Sequence, residues 1–140
     1  MRKYYIFLID SYVIDSYIND PASLYKTLKK VYSSRMNMKY RVSIFKQITK
    51  MIEKTVITNY IENKFNSYKK NKDKYLLNIN DEKCLVEINY SCVVLYTNKN
   101  FSNIFDILKI YNKNFFVCDF KNEDYFFINK ISNKVFKYNI

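Results

Sequence analysis

Hydrophobic positions along this chain change their period several times, and each change marks an element. Tyr4 to Ile9 is an unbroken β-branched and aromatic run of strand length. Asp10-Ser11 follows, and both residue types cap helices. Residues 11–18 then have the length of two short turns. Val13 and Tyr17 are four apart, as are Ile14 and Ile18. Each pair shares a face, and the two faces adjoin, so Val13 and Tyr17 point outward if Ile14 and Ile18 dock. Asp20-Pro21 restarts the chain, with Asp as N-cap and Pro at the first helical position. Leu24, Leu28 and Val31 mark one face of a helix to about residue 33. Residues 34–40 have no clear period and read as a connection.

From Arg41, helical spacing returns in Ile44, Ile48, Met51, Ile52 and Val56. Ile57, Ile61, Phe65 and Tyr68 continue the stripe on a shifted face. The pattern predicts one long bent helix or two short ones, ending before the polar run Lys69 to Lys74. That run reads as a solvated loop. Three short β-type runs follow, Tyr75–Ile79, Cys84–Ile88 and Cys92–Tyr96, arranged as an antiparallel meander. Asn100 is placed to cap a helix carrying Phe101, Ile104, Phe105, Leu108 and Tyr111. Phe115–Phe120 and Tyr125–Ile128 make a hairpin around residues 121–124, and Val135–Tyr138 is a short last strand. The sum is α+β: a mostly antiparallel sheet with helices packed on one side, in a single domain spanning residues 1–140.

Composition removes whole classes of chemistry. The chain has no Gly and no His. Without Gly there is no phosphate-cradling loop, dinucleotide turn or nucleophile elbow. Without His there is no Ser–His or Cys–His pair and no His-ligated metal. Asn, abundant here, is the next-best residue for left-handed turn positions and is expected to fill them. The three cysteines, Cys84, Cys92 and Cys118, are odd in number, lack C-x-x-C spacing and sit in apolar runs. They read as buried thiols, neither a disulfide framework nor a zinc site. The carboxylate pairs Asp81-Glu82 and Glu123-Asp124 fall in turns, with no convergent partner in the sequence. The expectation is a non-enzymatic binding protein with no cofactor or metal. The apolar run after Arg2-Lys3 is too short for a secretory segment, and no stretch approaches a membrane span, so a cytoplasmic location is expected.

The net charge of +11 is not spread evenly. Residues 26–74 hold 14 Lys+Arg and 3 Asp+Glu, a net of +11, whereas residues 1–25 hold two positives and three negatives, a net of −1. Lys46, Lys50 and Lys54 are four apart, as on the solvated face of an amphipathic helix. The basic segment 26–74 could also face phosphates, which makes nucleic-acid binding the alternative function. Most of the 15 Tyr and 11 Phe fall at core-periodic positions, so they read as core before they read as base-stacking platforms.

Two ends of the chain resemble one family. Arg2-Lys3-Tyr4-Tyr5-Ile6-Phe7-Leu8-Ile9, followed eight residues later by Tyr17, resembles the start of the SirA sporulation inhibitors of replication of endospore-forming Firmicutes. Ile104-Phe105-Asp106-Ile107-Leu108-Lys109, Phe115-Phe116-Val117-Cys118-Asp119-Phe120 and Tyr125-Phe126-Phe127-Ile128-Asn129 resemble their closing helix and hairpin. Phe45-Lys46-Gln47-Ile48 is a weaker echo. The resemblance implies a sporulation protein that binds the N-terminal domain of the replication initiator DnaA and blocks new rounds of replication. It implies a contact through the first short helix, at two residues four apart. These fall on Val13 and Tyr17, and Val13 departs from an aromatic in the family pattern. Direct nucleic-acid or membrane contact is not expected on this reading, and the oligomeric state is left open.

Overall fold

A computed structural model describes residues 1–33 and 38–130. Seven strands form one sheet in the order β2-β3-β4-β5-β1-β6-β7, with every neighbouring pair antiparallel. The strands are β1 (Arg2–Leu8), β2 (Tyr68–Asn71), β3 (Lys74–Ile79), β4 (Glu82–Ile88), β5 (Val93–Thr97), β6 (Phe115–Asp119) and β7 (Asp124–Phe127). The helices are α1 (Ile14–Tyr17), α2 (Pro21–Ser33), α3 (Met38–Ile48), α4 (Lys54–Lys64) and α5 (Ile104–Tyr111). The fold is therefore α+β, and the meander and the closing hairpin lie where their sequence patterns put them. Val135–Tyr138 lies outside the described residues.

Helices cover both faces of the sheet, not one. On the first face, α4 and α5 bury Ile57, Ile61, Ile104, Phe105, Ile107 and Leu108 against Tyr4, Ile6 and Leu8 of β1 and their cross-strand neighbours. On the second, α2 and α3 bring Leu24, Tyr25, Leu28 and Ile48 onto Phe7, Val94, Phe116 and Cys118. Burial on both sides explains why β1 is a continuous apolar run and does not alternate.

The helical stripe from 41 onward is two helices, because the chain changes face between them. β1 outruns its partner β5, whose pairing stops at Ile6↔Val93. The peptide groups of Leu8 and Asp10 need other partners. Residues 48–50 supply them: Asp10 N–H donates to the Ile48 carbonyl (2.9 Å) and Lys50 N–H to that of Leu8 (2.8 Å), around an antiparallel bridge between Ile9 and Thr49. Ile52 N–H then donates to the Tyr90 carbonyl at 2.8 Å, carrying the chain to the first face. The shift in the apolar stripe between Ile48 and Ile57 records this crossing.

Other expectations need correction. Lys69 to Lys74 is no loop: Tyr68–Asn71 pairs with Lys74–Leu77 as the sheet's edge hairpin. Lys69 and Lys70 occupy the edge strand itself, where charge discourages pairing with another chain. Asn100 does not cap α5. Its side-chain oxygen accepts from Arg2 Nη1 at 3.0 Å, and the Ser102 hydroxyl accepts the Ile104 N–H at 3.1 Å. The left-handed positions among the described residues are Lys72, Asn80 and Glu123, so Asn fills only one of them. Each lies in a hairpin turn, where strand pairing on both sides offsets the roughly 1 kcal/mol steric cost.

Candidate partner-binding surface

The first short helix follows a turn organised by Asp10. Asp10 Oδ1 accepts the Tyr12 N–H at 2.9 Å, and the Asp10 carbonyl accepts from Val13 and Ile14. One helical turn follows, closed by Ile18 N–H donating to Ile14. Asp20 Oδ1 then accepts the Ser23 N–H at 3.2 Å, and Pro21 opens α2, as their sequence positions predict.

Val13 and Tyr17 fall at the start and end of this turn, and both are half-buried. The division into an outward pair and a docked pair is not clean. Val13, Ile14 and Tyr17 all lean on the core of the second face. Tyr12, 94 % exposed, is the large hydrophobic side chain of this segment that stands clear of the protein. α1 is thus led in by the Asp10 turn, closed by the Ile18 backbone N–H and packed along one side, with part of Val13 and Tyr17 left accessible.

The lysines at 46, 50 and 54 do not make one row. Lys46 lies in α3, Lys50 in the face-crossing link and Lys54 at the start of α4. Lys54 Nζ is held by Asp73 at 2.9 Å and sits 4.7 Å from the Tyr90 ring centroid. Among the described residues, the charge run is divided between α2 and α3 on the second face, α4 on the first and the edge hairpin.

A groove of about 440 Å³ opens on the second face, between the last turn of α2, α3, residues 49–51 and the turn at 90–91. Its walls include Val31, Val42, Phe45, Met51 and Tyr90, with Arg41, Lys46 and Lys50 at its borders. Sequence reasoning missed it. The spacing puts Met51 in a helical stripe, yet in the structure it is 69 % exposed, because the helix ends before it.

The remaining chemistry is structural. Glu82 does not lie free in a turn. It is fully buried and accepts hydrogen bonds from Thr97 Oγ1 (2.6 Å), Ser102 Oγ, and the backbone and side-chain amides of Asn103 (both 2.9 Å). Burial opposes its charge, but these donors outweigh burial and hold the carboxyl below its ordinary range. The signal was available: period two from Cys84, Val86 and Ile88 puts Glu82 on the buried face. Asp119 is handled alike, with its burial outweighed by Asn122 and by the Arg2 guanidinium at 2.9 Å. Arg2 also bonds Asp124 at 3.2 Å, which ties β1 to the closing hairpin. The three thiols are buried and unpaired, and desolvation pushes Cys84 up to about 12. Among the described residues, no group of His, Cys, Asp and Glu is arranged to hold a metal, and no helix is long and apolar enough to cross a membrane.

Taken together, these elements define a small α+β protein whose polar clusters brace strands and helix ends, and whose surface carries a short, partly accessible helix and a separate basic-bordered groove. The chain belongs to the family of the sporulation inhibitor of replication protein SirA, whose model matches residues 2–132. That family is one of regulatory inhibitors of replication in sporulation. No curated protein sequence matches the chain closely enough to count as a relative.

Proposed function

We propose that this protein inhibits initiation by binding the N-terminal domain of DnaA, with Val13 and Tyr17 of α1 at the contact. Family membership supplies the inhibition of replication. The observation that carries the finer reading is the state of α1. An aromatic and an aliphatic side chain share one helical turn, both are partly accessible, and the turn is fixed before any partner arrives. A preformed surface spares the ordering cost that binding otherwise incurs. Tyr is a frequent hot-spot residue, worth about 2 kcal/mol or more when central to an interface. The non-basic charge balance of residues 1–25 fits a contact made by packing more than by counterion release. The whole of 1–140 is read as one domain acting in the cytoplasm, without catalysis.

The test is co-purification of the wild type and Tyr17→Ala with the isolated N-terminal domain of the initiator from the same organism. Capture by the wild type and its loss in the variant is the expected result. Undiminished capture by Tyr17→Ala would sink the proposed interface, and no capture by either would sink the partner.

A further inference from the structure

We infer that the groove between α2, α3 and the 90–91 turn is a second docking site, and that its occupant is an acidic amphipathic segment of a partner protein. The floor is apolar but left open to solvent: Val42 is 45 % exposed, Met51 69 % and Tyr90 59 %. Isolated exposed apolar residues are ordinary, but here they converge on one concavity with a volume in the range of binding clefts. Among the described residues, the lining includes three cations and no carboxylate. Lys46 and Lys50 are exposed and form no ion pair among the described residues, so their charge is not spent within the fold.

An apolar floor with a positive border complements a helix carrying aliphatic residues on one face and Glu or Asp beside them. Other occupants fit less well. A second copy of this chain brings a net charge of +11 against the same sign. The closing segment 131–140 carries Lys134 and Lys137 and no acidic residue. Nucleic acid would satisfy the cations, and Phe45 and Tyr90 offer rings to stack on, but Val31, Val42 and Met51 add non-aromatic apolar surface that suits the aliphatic face of a helix better than it suits bases. None of the groove's lining residues belongs to residues 10–18, so the site is separate from the α1 contact.

The experiment uses the full chain and a fluorescein-labelled amphipathic peptide of about 16 residues, with Leu on one helical face and Glu on the other. Fluorescence anisotropy should show binding that weakens with salt, and a twin peptide with Lys for Glu should bind about tenfold more weakly or worse. Val42→Glu and the double variant Lys46→Glu/Lys50→Glu should each lose about tenfold or more in affinity. All three positions are exposed, and unchanged melting curves will separate loss of the site from loss of the fold. Equal binding of the two peptides, or indifference to both variants, overturns the proposal. So does tighter binding of a single-stranded oligonucleotide than of the acidic peptide, or a gain in peptide affinity on deleting residues 131–140. Tyr17→Ala should leave peptide binding intact, and the groove variants should leave initiator capture intact. Loss of initiator capture in the groove variants would merge the two surfaces and end the case for a second site.

Discussion

The two faces of the sheet are built differently. The first is closed: α4 and α5 bury a mainly aliphatic layer in which the rings of Tyr4, Tyr75, Phe105 and Phe115 are also fully enclosed, with Leu95, Val86, Ile6 and Leu108 inaccessible to solvent. The second is aromatic and incompletely covered. Tyr5, Phe45, Tyr96, Phe120 and Tyr125 are only partly buried, and the row Leu76–Leu85–Tyr96 runs out across β3, β4 and β5, with Leu76 44 % exposed. Dispersion and apolar burial grow with enclosure, so the first face carries the stability. Rings that remain partly accessible keep contact area in reserve, and the second face, with α1 and the groove, is where the proposed contacts lie.

The sharpest way to break this contrast is to excavate the first face. Leu95 is fully buried on β5, paired with Tyr4 of β1 and Val86 of β4. Leu95→Ala should cost about 3 kcal/mol, read as a lower midpoint in urea unfolding. A loss no larger than that of a surface substitution would mean that the aliphatic layer is not the stabilising one.

Glu82 sharpens the comparison at the rim of the same face. Glu82→Gln removes the charge that four donors converge on and should cost about 2 kcal/mol at neutral pH. The folded pKa is depressed, so the carboxylate's contribution is complete above its ordinary value of 4.5 and drains away as pH falls through the lower folded value. The stability gap between wild type and variant should therefore be flat well above 4.5 and narrow in more acid solution. Urea midpoints across pH check it, and a gap that widens on acidification contradicts the sign.

On the second face the expected losses shrink. The half-buried Phe120 ring lies 5.3 Å from Tyr5, 5.7 Å from Tyr25 and 6.0 Å from Tyr32 between centroids. Phe120→Ala should cost about 1.5 kcal/mol, below the figure for fully buried aromatics, because much of the ring already meets water. A cost above that of Leu95→Ala, measured in the same urea series, would reverse the ranking of the two faces.

Much of this arrangement is legible in the sequence because it is locally determined. Period-two and period-3.6 patterns locate the meander, the closing hairpin and the cap at Asp20-Pro21, each set by residues near in sequence. The long-range facts are not. The break after Ile48 depends on unpaired peptide groups of Leu8 and Asp10, some forty positions away, and nothing local in Thr49-Lys50 announces them. The groove follows from that break, since Met51 is exposed only once α3 has ended. The one-sided expectation failed for a related reason: a strand buried on both faces and a strand in a one-sided core can both read as apolar runs, and only the placement of α2 and α3 distinguishes them. Val13 and Tyr17 are proposed through family resemblance, and the structure adds that both also lean on the core.

That dual position sets the smallest effect on stability and the most informative one. Tyr17 gives part of its surface to the second-face core, so Tyr17→Ala should destabilise by no more than about 1 kcal/mol. If the accessible part is the anchor, the same substitution should weaken initiator binding by about tenfold or more, a loss out of proportion to the change in fold. Val13→Phe tests the converse. The family resemblance implies an aromatic at this position, and the half-buried site has solvent on one side to receive a larger ring. The variant should leave the urea midpoint nearly unchanged and tighten binding, because added apolar area meets the partner and not the core. Titration calorimetry with the initiator's N-terminal domain reads both variants. A Tyr17→Ala protein that loses stability and affinity in equal measure, together with a neutral Val13→Phe, would assign these side chains to the core and move the contact elsewhere on the open face.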